Sequence, residues 1–224
     1  MYEVTVGIAC YKQKKWLHRC LRSLAAQTMD KRLFEVIIVN DDPESCLDDV
    51  IDVFKPFLNI KLLNNDNNIG LPASLNRILK QAIGRYFVRV DSDDYISRHM
   101  LTTLTTFLYL NSGPRIMDTR SNFQAVKCDY FKVNDTGELL SRHDSRDEPM
   151  ACGVMFNYEA LINVGLYNEQ FKMREGHELM IRFEKKYSVG HLNMPLYKYR
   201  MHDSNRTNDI KQVKQYDKKL GEIK

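Results

Sequence analysis

Tyr86-Phe87-Val88-Arg89-Val90-Asp91-Ser92-Asp93-Asp94 is the stretch whose reading decides the fold. Its first part is apolar at successive rather than alternate positions, which marks a strand covered on both faces, as in the parallel sheets of α/β proteins. Three carboxylates then crowd into the four residues that follow the strand. Toward the N-terminus the same texture recurs at Val4–Cys10, Phe34–Asn40 and residues 59–63, each too apolar on both faces to be half-exposed. Leu17, Cys20, Leu21 and Leu24 recur at helical spacing between the first two strands, as do Leu71, Leu75, Ile78, Leu79 and Ala82 between the last two. Strands alternating with amphipathic helices predict βαβ units around a mostly parallel sheet.

Toward the C-terminus the texture changes. A helix over residues 100–110 leads into β-rich sequence at Phe123–Val133, a turn at 134–137, and a polar stretch at 141–149 that reads as a mobile loop. A short strand at 152–156, helices near 158–163 and 178–187, and a pair of strands around 189–199 are expected next. From Asn208 the chain is polar and basic. With no repeat, low-complexity segment or break in composition, residues 1–207 are expected to form a single domain, residues 208–224 being a basic, helical tail.

The 224 residues suffice for one buried core, and 43% hydrophobic with 28% charged residues is ordinary globular composition. The net charge of +4 comes without a dense Lys/Arg stripe interleaved with aromatics, so nucleic acid is not an expected partner. Cys10, Cys20, Cys46, Cys128 and Cys152 are odd in number and include no C-x-x-C pair, which reads as reduced cytosolic thiols. Neither a signal peptide nor a membrane-spanning segment is visible. A cytoplasmic protein is expected, with peripheral contact at the inner face of a membrane as the alternative that the tail leaves open. There Lys211, Lys214, Lys218, Lys219 and Lys224 flank a thin stripe of Ile210, Val213 and Leu220; a solvated helix is the other reading.

In an open parallel sheet, ligands bind outside the carboxyl ends of the strands. Three such ends here carry Ala9-Cys10-Tyr11, Asn40-Asp41-Asp42-Pro43 and Asp91-Ser92-Asp93-Asp94. Carboxylates packed this densely repel unless a cation offsets them, and an oxygen-only set favours Mg²⁺ or Mn²⁺, which bridge to substrate phosphates. An Asp-rich turn capping the next helix is the bland reading. Taken alone, Asp41 and Asp42 read as a turn with Pro43; a carboxylate at this strand end can also accept the imide N–H of uracil.

In order and spacing these elements resemble family 2 glycosyltransferases over almost the whole chain, from about Val4 to Thr207. The matching segments are Val6-Gly7-Ile8-Ala9-Cys10-Tyr11, Leu21-Arg22-Ser23-Leu24 with Gln27-Thr28, Val36-Ile37-Ile38-Val39-Asn40-Asp41-Asp42, Asn68-Ile69-Gly70 with Asn76, and Ala82, Gly84, Arg85 and Tyr86 leading into Val90-Asp91-Ser92-Asp93-Asp94. The resemblance implies a GT-A, Rossmann-like fold, in which residues 1–97 form a nucleotide-sugar-binding half and 98–207 an acceptor-side half. It implies inverting transfer from a nucleotide sugar, UDP-linked by preference, to a saccharide or lipid-linked acceptor, with Mn²⁺ or Mg²⁺ as cofactor, in surface polysaccharide or glycan synthesis. Ala9, Cys10, Tyr11, Asp41, Asn68, Asp91 and Ser92 would hold the nucleotide, Asp93 the metal, and His202 would complete the metal or phosphate site. Gly153 and His177 would lie on the acceptor side, and residues 141–149 would be a lid or a plain surface loop.

The general base is where the sequence departs from the pattern. Relatives carry an Asp at the position of Gly176 in Glu175-Gly176-His177-Glu178-Leu179. Glu175, beside the vacancy, is the first candidate, Glu178 the second and His177 the third; alternatively Glu175 and Glu178 only complement the helix dipole. A nucleotide-sugar-binding protein without catalysis is the principal rival reading. A nucleotidyltransferase would need a Gly-rich phosphate loop where Ala9-Cys10-Tyr11-Lys12-Gln13 stands, and a response-regulator-like domain would leave the 91–94 cluster and the last hundred residues unexplained.

Overall fold

The computed structural model describes residues 2–111 and 122–223. Four parallel strands, β1 (Val4–Cys10), β2 (Phe34–Asn40), β3 (Ile60–Asn64) and β4 (Tyr86–Arg89), lie in the order β3-β2-β1-β4. Pleating sends successive side chains to opposite faces. Val6, Ile8, Val36 and Ile38 therefore join one core, covered by α1 (Lys14–Ala25), α2 (Asp48–Phe54) and α4 (Met100–Asn111). Ile37, Val39 and Phe87 join the other, covered by α3 (Leu71–Leu79), α5 (Tyr158–Val164) and α6 (Glu175–Glu184). Each fully buried aliphatic side chain contributes ~1.5–3 kcal/mol, so the apolar runs of β1 and β2 hold three layers together at once.

Beyond β4 the sheet turns mixed. β8 (Val154–Asn157) runs antiparallel to β4, β6 (Phe123–Val133) antiparallel to β8, and β9 (Ser188–Arg200) parallel to β6; β5 (Tyr95–Ile96) closes the edge against β9. One continuous sheet makes this the single α/β domain that was expected. Its parallel character is concentrated in β3-β2-β1-β4 and in the β6–β9 pair.

Several elements differ from their sequence reading. The expected pair of strands at 189–199 is one thirteen-residue strand, β9. Its register against β6 jumps from Cys128↔Leu192 to Asp129↔Pro195, so the proline that looks like a break sits at a bulge instead. The stretch 141–149, expected as a loop, begins inside β7 (Leu139–His143), which pairs antiparallel with β6. Its remainder is tied down, Ser145 N donating to Asp129 Oδ1 and Glu148 bridging Lys132 and His143. The short α2 was missed because it buries only Ile51 and Phe54 within an acidic run.

The tail folds as α7 (Ile210–Gly221), capped by Asp209, whose side chain accepts from Gln212 N. Most of its apolar residues do not face outward. Tyr216 and Leu220 are buried with Phe171 and Met173, Val213 packs against the same cluster, and of the proposed membrane stripe only Ile210 is exposed. That arrangement replaces the stripe reading with a docked helix. No helix of the described residues is long and apolar enough to cross a membrane.

Candidate active site

The carboxyl ends of β1, β2 and β4 open onto a cavity of about 580 Å³. It is lined by Ala9, Cys10, Tyr11, Asp41, Asn68, Asp91, Ser92 and Asp93, which brings together eight of the residues singled out from the sequence. A second cavity of about 370 Å³ adjoins it and holds Glu175, His177, Tyr130 and Tyr199. The two meet at Leu71, Asp91, Asp93 and Arg206. A ligand in each would therefore share one wall.

Asp41 is held before any ligand arrives. Its Oδ1 accepts from Asn65 Nδ2 at 2.7 Å and Ile69 N at 2.9 Å, and its Oδ2 from Gly70 N at 2.9 Å. Gly70 sits at φ +88, in the left-handed region, as the residue before α3, and that conformation aims its N–H back at the carboxylate. A carboxylate offers about four acceptor positions, so roughly one remains on Oδ2 for a donor in the cavity. Asn65 was not singled out from the sequence, although an Asn beside a buried Asp is the usual kind of partner.

The three carboxylates after β4 have three different surroundings. Asp94 is fully buried and accepts from Tyr197 Oη and Arg200 N, both at 2.8 Å, so it anchors β9. Asp91 accepts from Arg89 Nε at 2.6 Å and Nη2 at 3.0 Å. Burial pushes Asp91 up, but the adjacent guanidinium outweighs it and holds the acid below its usual range. Among the described residues no arginine pairs with the Asp93 carboxylate, Arg200 Nε donating at 2.8 Å to its backbone carbonyl instead. Burial first, and the charge of Asp91 second, raise this acid, while His202 Nε2 lies 3.0 Å from its Oδ2. His202 is in turn fixed by Ser204 Oγ at 2.9 Å from Nδ1 and by stacking on Trp16, ring centroids 5.7 Å apart. A half-buried Asp93 carboxylate raised by its neighbour Asp91, beside an imidazole oriented through its other nitrogen, fits a hard divalent cation.

On the other wall, Glu175 is 4% exposed and its Oε1 accepts from Arg89 Nη1 at 2.7 Å. Arg89 thus ties the first residue of α6 to the acid after β4. The position vacated at Gly176 is filled, since a Cβ there would stand 2.3 Å from Ala151 Cβ. Glu178 lines neither cavity; Arg182 grips it through Nε at 2.7 Å and Nη2 at 2.8 Å. His177 faces the second cavity, its Nε2 3.1 Å from Pro149 O, and burial followed by the charge of Arg174 lowers its pKa. Gly153 lies just behind that cavity at φ +70, where its carbonyl accepts from Cys128 N. Positive φ, more than close approach, explains the glycine.

Arg89, Lys172, Arg206, Glu169 and Ser204 also shape the cavities and were not singled out from the sequence. Arg89 carried a readable signal: a lone arginine in an otherwise apolar strand must find buried acids, and it finds two. The others lie on loops or, for Arg206, at the start of a short 3-10 turn, joined only by the fold. All five cysteines are free, Cys10 and Cys152 lying in the walls of the two cavities, and burial pushes the Cys10 thiol up to about 11.

Residues 5–163 match the family model described as "Glycosyl transferase family 2". The chain belongs to that family. It is 32% identical over 109 residues to the poly(ribitol-phosphate) beta-N-acetylglucosaminyltransferase TarS of Staphylococcus aureus, covering 48% of this chain and 19% of TarS. It is 26% identical over 242 residues to the putative glycosyltransferase EpsH of Bacillus subtilis, covering 98% of this chain and 65% of EpsH. The chain thus spans about a fifth of one relative and just under two thirds of the other. Among solved structures, TarS 1-349 in complex with UDP-GlcNAc superposes with a TM-score of 0.75 at 21% identity, over 93% of this chain and 61% of that one. The mannosyltransferase PcManGT of Pyrobaculum calidifontis, in complex with GDP-Man and Mn²⁺, gives 0.69 at 16% identity, over 94% and 60%. At these identities the structural likeness establishes the GT-A fold.

Proposed function

We propose that this chain transfers a hexosyl or N-acetylhexosaminyl group from a UDP-linked donor to a hydroxyl of a saccharide or lipid-linked acceptor, with inversion, in surface polysaccharide synthesis. The observation that carries this reading is the pair of cavities meeting at Asp91 and Asp93, one built on strand ends and an anchored Asp41, the other on the start of α6. TarS, solved with UDP-GlcNAc, supports the donor class, and PcManGT, solved with Mn²⁺, supports the metal. Asp93 and His202 would hold a divalent cation, which when bound stabilises the charge that develops on the departing diphosphate.

Asp41 and the strand-one end would seat the base, and Asp91, oriented by Arg89, would face the ribose or donor sugar. Lys172 and Arg206 add positive charge beside the diphosphate path. The acceptor hydroxyl attacks C1 from the second cavity; the new bond forms from its oxygen as the bond from C1 to the phosphate oxygen breaks. Its proton passes to Glu175, whose Oε1 is fixed by Arg89 and whose residue lines that cavity. Residues 1–97 supply most of the donor cavity, with Lys172, Ser204 and Arg206 added from the second half, and residues 98–207 supply most of the acceptor cavity in this reading. A screen of nucleotide sugars with Mn²⁺ and saccharide acceptors, reading released nucleotide, tests it: acceptor-dependent UDP release is expected. A nucleotide-sugar-binding protein without transfer is the second reading, favoured by the filled space at Gly176. UDP binding without release from any donor and acceptor pair would establish that reading instead.

A further inference from the structure

Arg174, the residue before α6, has φ +65 and ψ +16, one of two non-glycine residues with positive φ among those described. It has no side-chain cap of its own, yet its carbonyl accepts from Glu178 N at 2.9 Å and opens the helix. L-residues disfavour this conformation, and it persists only where the surroundings over-determine it. The surroundings here are supplied by the last helix. Asp217 of α7 takes Arg174 Nε at 2.7 Å and Nη2 at 3.2 Å, a two-pronged ion pair on a planar guanidinium. On the same segment Phe171 and Met173 pack against Tyr216 and Leu220, and Lys172 O accepts from Arg206.

We infer that α7 is a brace for the acceptor side of the site, with Asp217 as a positioning residue that holds Arg174 left-handed and so sets the first turn of α6. The inference rests on the transferase reading for its catalytic consequence. Glu175 follows Arg174 directly and must meet Arg89, and His177 must meet Pro149 O; both contacts depend on the direction in which α6 leaves residue 174. Letting Arg174 relax to negative φ re-aims that turn. The donor cavity is built chiefly from strand ends and from residues 68–72, and it keeps most of its walls.

Glycine and alanine at position 174 separate this role from simple stabilisation. Both remove the ion pair and the guanidinium, but glycine adopts φ +65 freely and alanine does not. Arg174→Ala and Asp217→Asn are expected to lose on the order of tenfold in kcat with UDP affinity retained, because small misplacements of reacting groups are costly. Arg174→Gly should recover most of that loss, and adding Asp217→Asn to Arg174→Gly should cost nothing further. Equal kcat for Arg174→Gly and Arg174→Ala overturns the inference. Hydrogen exchange gives an answer independent of turnover: the amides of residues 175–179 should exchange faster in Arg174→Ala than in Arg174→Gly, and equal rates overturn the proposal. If the wild-type protein binds UDP but never releases it from a donor, the transferase reading falls, and the exchange comparison alone decides the brace.

Discussion

The two walls of the site handle charge in opposite ways. On the wall proposed for the acceptor every acid is paired with a basic side chain: Glu175 with Arg89 and Glu148 with Lys132 and His143, and behind that wall Glu178 with Arg182 and Asp217 with Arg174. On the donor wall Asp93 is raised by burial and by Asp91, and only a histidine stands beside it. A balanced set of charges fixes geometry, whereas an unbalanced one is completed by a ligand. Asp91 belongs to both, since Arg89 neutralises it from the acceptor side while it faces the donor cavity.

The contrast is broken most severely at Asp93. Asp93→Asn is expected to abolish the dependence of UDP binding on Mn²⁺ and to lower transfer by about 10²–10³-fold, the usual scale for removing one group that stabilises transition-state charge. Calorimetry of UDP with Mn²⁺ and with EDTA reads the first effect. Equal affinities for the wild-type protein in the two conditions would remove the cation from the donor wall and with it the asymmetry.

Glu175 and Glu178 sharpen the comparison on the other side. Both are buried and both are held by arginine, but only Glu175 lines a cavity. Glu175→Gln should lose about 10²–10⁴-fold in kcat with donor affinity retained. Glu178→Gln should instead lower the melting temperature, because it leaves Arg182 without its carboxylate; with Arg182 about a third exposed, the cost is discounted to roughly 1 kcal/mol. If Glu178→Gln is stable and inactive while Glu175→Gln transfers normally, the base is Glu178.

These carboxylates also mark where sequence reasoning stopped. The first half was legible because the inner strands of a parallel sheet bury both faces, so Val36-Ile37-Ile38-Val39 announces its burial, and the cluster after β4 sits where such sheets bind ligands; β3, expected to be covered on both faces, is instead the half-exposed edge strand, with none of its residues buried. The second half was less so. β9 carries Pro195 in mid-strand, β7 reads as polar loop because it is an exposed edge, and the partners of Glu175 and Arg174 lie 86 and 43 residues away. Residue types showed which groups could do chemistry; only the packing showed which were already engaged.

Gly176 offers a smaller perturbation with a definite sign. If the acceptor wall is closed around Ala151, Gly176→Asp should destabilise the fold by ~1–3 kcal/mol, the cost of overpacking, without raising transfer. Adding Ala151→Gly should restore part of the lost stability, measured as the denaturation midpoint. A stable Gly176→Asp that transfers faster than wild type would mean that the wall gives way readily, and that Glu175 is a substitute for an acid the site still accommodates.

The least effect is expected where the sequence left a membrane reading open. The apolar side of α7 is already spent on Phe171 and Met173, so what it can present to a lipid surface is lysine and the single exposed Ile210. Charge alone binds anionic vesicles weakly, and it is screened beyond roughly 8 Å at physiological ionic strength. Vesicles of anionic lipid should therefore fail to pellet the protein at physiological salt, and Ile210→Ser should change nothing. Leu220→Ala acts on the other side of the helix: it opens a gap against the body and should cost about 2 kcal/mol, the low end for a buried leucine because the site lies near the surface. Salt-resistant pelleting that Ile210→Ser abolishes, with Leu220→Ala leaving stability untouched, would mean that α7 leaves the body to bind lipid, and the acceptor wall would then lose its support whenever the protein is on a membrane.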